Sequence, residues 1–146
     1  MKFWDTSAVV PLCLAQPASA DVRPLLLADG DMVVWWGTVV ECTSALARLE
    51  RNGELPPRGV HAAFQALGLL RVAWTEVAAS EAARDQAAHL LRTHPLRAGD
   101  ALQLVAALVW SGGATAGLEL VTLDDRLRSA AVREGFSVLP QSQATG

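Results

Sequence analysis

Short apolar runs, each closed by a turn or cap residue and followed by a longer helical stretch, recur along this chain and constrain its fold more than any other feature. The clearest is Met32-Val33-Val34-Trp35-Trp36, whose β-branched and aromatic side chains suit a buried strand, with Gly37 and Thr38 opening the helix that follows. On this pattern strands are expected at 2–4, 32–36, 71–74, 118–122 and 136–139. Helices are expected at about 7–15, 19–28, 38–51, 58–69, 80–92, 98–110 and 125–134. The stretch at 98–110 is apolar on nearly every side and belongs in the middle of the protein. Alternating strand and helix means βα units wound around a parallel sheet. The expected fold class is α/β, a three-layer α/β/α arrangement on a four- to five-stranded parallel sheet.

A chain of 146 residues, 51% hydrophobic and only 18% charged, can bury one core and has little left for a second. A single domain over 1–140 with a polar tail at 141–146 is expected, with no internal repeat or linker. The first residues lack the apolar core and cleavage pattern of a signal peptide, and no stretch is long enough to span a bilayer. Cys13 and Cys42 lie in apolar helical contexts without metal-ligand spacing and read as buried free thiols, which fits a reducing cytoplasm. The formal charge of −3 argues against a protein that coats long stretches of nucleic acid by neutralising many phosphates. It leaves room for an enzyme that grips a short one, because acids gathered at a metal site lower the formal charge while the bound cation restores positive charge locally.

Where the acids fall is therefore informative. Asp5 follows the first strand directly, Glu41 follows the second after a brief turn, and Asp124 follows the fourth. In an open parallel sheet the carboxyl ends of all strands share one edge, and ligands bind in the crevice outside it. Asp100 joins the set if its helix begins near that edge; Pro95 blocks an earlier start and places Gly99 and Asp100 in the first turn. Carboxylates crowded together raise each other's pKa, an unfavourable arrangement unless a cation compensates. Hard oxygen donors select Mg²⁺ or Mn²⁺, and such an ion activates water and bears charge on a phosphate oxygen. The chemistry that fits is phosphodiester hydrolysis.

Each acid also has a plainer account. Asp5 and Asp124 suit helix N-caps, and Glu41 and Asp100 suit first-turn acids that complement a helix dipole. Taken as a set, those accounts leave the convergence on one edge unexplained. His61, His89 and His94 share no spacing that would make a ligand pair. Trp4, Trp35, Trp36, Trp74 and Trp110 read as core packing, and Arg126, Arg128 and Arg133 as a solvated helix face.

The stretches FWDTSAVVPL, VVECTSALARL, HPLRAGDALQLVAAL and LVTLDDRLRSAA resemble, in order, the four acidic motifs of PIN-domain proteins, most closely the VapC toxins of bacterial toxin–antitoxin pairs. The resemblance implies a Mg²⁺- or Mn²⁺-dependent endoribonuclease acting on RNA, with Asp5, Glu41, Asp100 and Asp124 as catalytic and metal-binding acids. It places Thr6, Ser7 and Thr122 as supporting hydroxyls, Asp125 as a rival to Asp124, and Arg97 as a candidate for the substrate phosphate. A cognate antitoxin protein, laid across the acidic edge with an arginine reaching the carboxylates, and a homodimer are further implications. Two alternatives stand beside it: a catalytically inactive PIN-like module that binds RNA or protein, and a phosphate-receiving signalling domain. The latter normally needs a lysine after a late strand, whereas the only lysine here is Lys2, inside the first strand.

Overall fold

Side chains alternate across a strand, so a strand buried on both faces feeds two cores at once. That is the organisation found in the computed structural model, which describes residues 1–142. In chain order the elements are β1 (Lys2–Trp4), α1 (Thr6–Cys13), α2 (Ser19–Ala28), β2 (Met32–Trp35), α3 (Thr38–Arg51), α4 (Pro57–Ala73), β3 (Thr75–Val77), α5 (Glu81–Thr93), α6 (Ala98–Ser111), β4 (Glu119–Val121), α7 (Asp125–Arg133) and β5 (Ser137–Leu139). Phe3, Val33, Trp35 and Leu120 point to the side covered by α5, α6 and α7, where Leu90, Leu104, Val105 and Leu127 meet them. Trp4, Met32, Val34 and Val121 point the other way, to Val9, Val22, Leu46 and Leu67 of α1 to α4.

All strand pairs are parallel, in the order β3-β2-β1-β4-β5. The chain thus steps outward from β1 to β2 and β3, then returns to lay β4 on the other side of β1. At this reversal the connections leaving β1 and β4 run to opposite faces, which opens a crevice beyond the carboxyl ends of that pair. The α/β/α class and the five-stranded parallel sheet match expectation. Among the described residues, no helix is long and apolar enough to cross a membrane.

The third strand is a correction. It lies at Thr75–Val77, not at 71–74, and residues 71–73 form the last turn of α4. The helix continues because its inner face still has a core to fill: Leu67 and Trp74 are buried, and Trp74 N–H closes on Leu70 O at 2.9 Å. Outward-facing Val72 is 83% exposed, so its β-branched side chain carried no information about burial. The true strand is an exposed sheet edge of sequence Thr-Glu-Val, paired with Val33 to Trp35, and lacks an apolar run to announce it. Trp36 also departs from expectation: it lies beyond the end of β2 and is 56% exposed. Of the expected tail, Gln141 and Ser142 are irregular, and 143–146 lie outside the described residues.

Candidate metal centre at the carboxyl edge

Asp5 is the residue at which β1 ends and α1 begins. Its N–H donates to Val121 O at 3.0 Å, continuing the ladder with β4, and its carboxylate caps α1 by accepting from Ser7 N–H at 3.3 Å. Two hydroxyls converge on the same oxygen: Ser7 Oγ at 2.5 Å and Thr122 Oγ1 at 2.9 Å from Asp5 Oδ2. Each hydroxyl in turn accepts a backbone N–H, Ser7 from Leu123 at 2.9 Å and Thr122 from Asp124 at 3.1 Å. The loop after β4 is thereby tied to the start of α1, and Asp124 is delivered to the crevice at the N-terminus of α7.

Asp5, Thr6, Ser7, Glu41, Asp100 and Asp124 all line one cavity of about 360 Å³, walled on its apolar side by Val10, Pro11 and Ala45. The helix-terminal roles are real as well. Asp124 caps α7 through Oδ1, which accepts from Leu127 N–H at 2.9 Å, and Asp100 Oδ2 accepts from Arg97 N–H at 3.0 Å at the start of α6. These roles leave the second oxygen of each aspartate without a donor among the described residues: Oδ1 of Asp5, Oδ1 of Asp100 and Oδ2 of Asp124. Capping and cavity-lining are compatible because a carboxylate has two oxygens.

Gln103, one turn beyond Asp100 on α6, went unnoticed in the sequence. Its side chain is 1% exposed, and Nε2 lies 2.9 Å from Thr6 Oγ1, 3.2 Å from Thr38 Oγ1 and 3.4 Å from Glu41 Oε1. The amide nitrogen faces the cluster because Glu41 can only accept. Gln103 Oε1 is buried without a partner. One amide therefore joins α1, α3 and α6 beneath the cavity and holds Glu41 in place. A lone Gln amid Leu, Val and Ala reads as an incidental polar residue; its burial and three partners emerge only from the fold.

The electrostatics are those of an uncompensated acidic cluster. Burial pushes the Asp5 carboxyl above the ordinary range, against the pull of the Ser7 and Thr122 hydroxyls and the Ser7 N–H, and Asp124 pushes it further up. Glu41 is raised by burial and then by Asp5, with Thr6 and Gln103 lowering it and Asp100 raising it again. No arginine or lysine forms an ion pair with any of these four among the described residues. Lys2 binds Asp29 at 3.3 Å and Glu119 at 3.4 Å at the opposite, amino end of the strands, which removes it as the lysine of a phosphate-receiving site.

A divalent ion fits this donor set: hard oxygens, several of them free, in a place where negative charge is otherwise costly. Among the described residues no group of three or more His, Cys, Asp or Glu side chains is drawn together so as to hold a metal ion.

The remaining sequence candidates are placed as follows. Asp125 is exposed and lies outside the cavity, so Asp124 is the acid of that pair facing the cluster. The exposed Arg97 offers its backbone to Asp100, and its side chain is not among the cavity's lining residues. Arg128 is not simply solvated: it donates to Thr122 O at 2.8 Å and steadies the loop carrying Asp124. Cys13 and Cys42 are buried free thiols, with burial pushing Cys13 up to about 11 and Cys42 still higher. His94 pairs with Glu134 at 2.8 Å, and neither lines the acidic cavity.

None of the curated proteins compared matches the chain. The family model described as PIN domain matches residues 2–133, which includes every acid of the cluster. PIN domains are generally nucleases and typically use divalent metals such as Mg²⁺, in keeping with the oxygen donors at the carboxyl edge. With that match running over nearly the whole length, on a five-stranded parallel α/β/α fold, the chain belongs to the PIN domain family.

Proposed function

We propose that this protein is a metal-dependent endoribonuclease that hydrolyses RNA phosphodiester bonds, with Asp5, Glu41, Asp100 and Asp124 holding Mg²⁺ or Mn²⁺. The observation that carries this reading is the pairing of a desolvated, charge-raised Asp5 with aspartate oxygens that have no protein donor in the same cavity. When bound, the ion supplies Lewis-acid polarisation of a phosphoryl oxygen and acidifies water. The chain's own residues do the rest. Ser7 and Thr122 fix Asp5, Gln103 fixes Glu41, and Asp124 and Asp100 are held rigidly at two helix N-termini, so the free oxygens are pre-set rather than gathered on binding. Arg97, exposed at the N-cap of α6 and outside the cavity lining, is assigned in this proposal to the substrate phosphate together with that helix N-terminus.

The resemblance of the four motifs to VapC toxins extends this proposal to a toxin role within a toxin–antitoxin pair, as a homodimer whose antitoxin partner covers the acidic edge, and the free thiols Cys13 and Cys42 fit a cytoplasmic setting. Val40, Leu69 and Val72 on α3 and α4 are among the exposed apolar residues that could serve such contacts. The metal claim is tested by melting temperature against Mn²⁺ concentration. Native-state binding must raise it. A rise of several degrees at millimolar Mn²⁺, absent in Asp5→Asn, is expected; no shift at millimolar metal contradicts the site.

A further inference from the structure

A second cavity, about 340 Å³, is lined by Trp35, Ala79, Ser80, Glu81, Arg84 and Leu102. It shares its supports with the acidic cavity. Trp35 ends β2, whose following helix supplies Glu41, and Leu102 sits two residues after Asp100 on α6. The residues from Ala79 to Glu81 follow β3, so this cavity also opens where strands end.

Its walls are mostly apolar and its rim is charged. Trp35 is 7% exposed and held by a close approach to the turn: a Cβ on Gly37 would stand 2.6 Å from the Trp35 Nε1. Trp36 projects beside it, largely exposed, its ring edge-on to Trp35 at 6.4 Å between centroids. At the rim the Arg84 side chain is 73% exposed and, among the described residues, pairs only with Glu81, at 3.6 Å and itself 91% exposed. That solvated contact leaves the guanidinium available to a phosphate.

We propose that this cavity receives one unpaired base of the RNA strand whose scissile phosphate lies at the acidic cluster, with Trp35 as its aromatic wall and Arg84 on a flanking phosphate. It rests on the ribonuclease reading above. Aromatic surface and a nearby cation are how proteins hold single-stranded nucleic acid, and a base must leave its stack to enter such a cavity. The subsite therefore selects unpaired RNA over duplex.

The test uses the Asp5→Asn protein, which should bind without cutting, and eight-nucleotide single-stranded RNAs in Mg²⁺. One RNA is intact and each of the others carries a single abasic ribose at a different position, with binding read by fluorescence anisotropy. Loss of one stacked base is worth roughly tenfold in affinity. An abasic ribose at one position should weaken binding by about that factor and elsewhere by much less. Ala79 is exposed and lines the cavity, so Ala79→Trp fills it and should abolish the positional penalty while the melting temperature holds. Equal penalties at all positions, or an unchanged pattern in Ala79→Trp, overturn the subsite but leave the nuclease reading standing. Failure of the intact RNA to bind overturns the subsite, while the nuclease reading is decided by metal-dependent cleavage in the parent protein.

Discussion

Thr122 Oγ1 donates to Asp5 Oδ2 across 2.9 Å, joining residues 117 apart in sequence at the ends of β4 and β1. The bond spans the topological reversal of the sheet, where a parallel α/β fold opens its crevice. It fixes one oxygen of the most buried acid and leaves the other without a donor among the described residues.

Removing that donor should be costly. Thr122→Val keeps the shape but leaves a buried carboxylate with one hydroxyl fewer and Asp124 N–H without its acceptor. Chemical denaturation at pH 7 should show a loss of about 1–3 kcal/mol. The loss should shrink in acid, where the Asp5 carboxyl is protonated and needs the donor less.

In EDTA the cluster should work against folding. Asp5 and Glu41 have folded pKa values above their ordinary 3.8 and 4.5, so the native state holds protons more tightly than the unfolded chain. Their contribution is full below those ordinary values and is lost as pH rises through the folded values. Asp5→Asn keeps an acceptor for Ser7 and Thr122 but removes the charge. Thermal melts in EDTA between pH 4 and 8 should show Asp5→Asn overtaking the parent protein as pH rises, by a few degrees in melting temperature near neutrality. A parent that gains on the variant with rising pH would reverse the sign of this account.

Asp124 and Asp125 should separate cleanly. Asp124 caps α7 and lines the cavity; Asp125 does neither. Asp124→Asn should abolish RNA cleavage with at most about 1 kcal/mol lost from the cap, and Asp125→Asn should leave cleavage within roughly twofold, which is under 0.5 kcal/mol in barrier. Cleavage rates and denaturation curves of the two variants decide it.

Gln103→Leu deletes the amide that positions Glu41 together with its own orphaned oxygen. The two effects oppose each other in stability, so a change within about 2 kcal/mol is expected. Cleavage should fall at least tenfold and Mn²⁺ affinity should drop with it, because Glu41 loses its orienting donor, a loss of the size usual for such partners. Cleavage and metal binding equal to the parent would show the amide to be structural only.

How much of this was legible in the sequence depended on whether a residue advertises its surroundings. Asp5, Glu41 and Asp124 stand just after β-branched or aromatic runs, so strand ends brought them together before any coordinates did. Asp100 needed its helix to start at the right edge, and Pro95 and Gly99 marked that start. The edge strand Thr75–Val77 has no buried face to write into its sequence, and the preceding helix takes the apolar residues that had suggested a strand. Trp36 shows the same ambiguity from the other side, since an aromatic after a strand reads as core whether or not another element covers it. Gln103 was invisible because nothing local distinguishes a polar residue that bridges three elements from one that merely interrupts an apolar helix.

The central claim is that the four carboxylates act as one metal-dependent cutting centre. The most direct measurement is cleavage of single-stranded or loop RNA by purified protein, first in EDTA and then after titration with Mg²⁺ or Mn²⁺. No cutting in EDTA, cutting restored by metal, and none at any metal concentration in Asp5→Asn is the predicted result. Undiminished cleavage in EDTA, or cleavage that survives in Asp5→Asn, would contradict it.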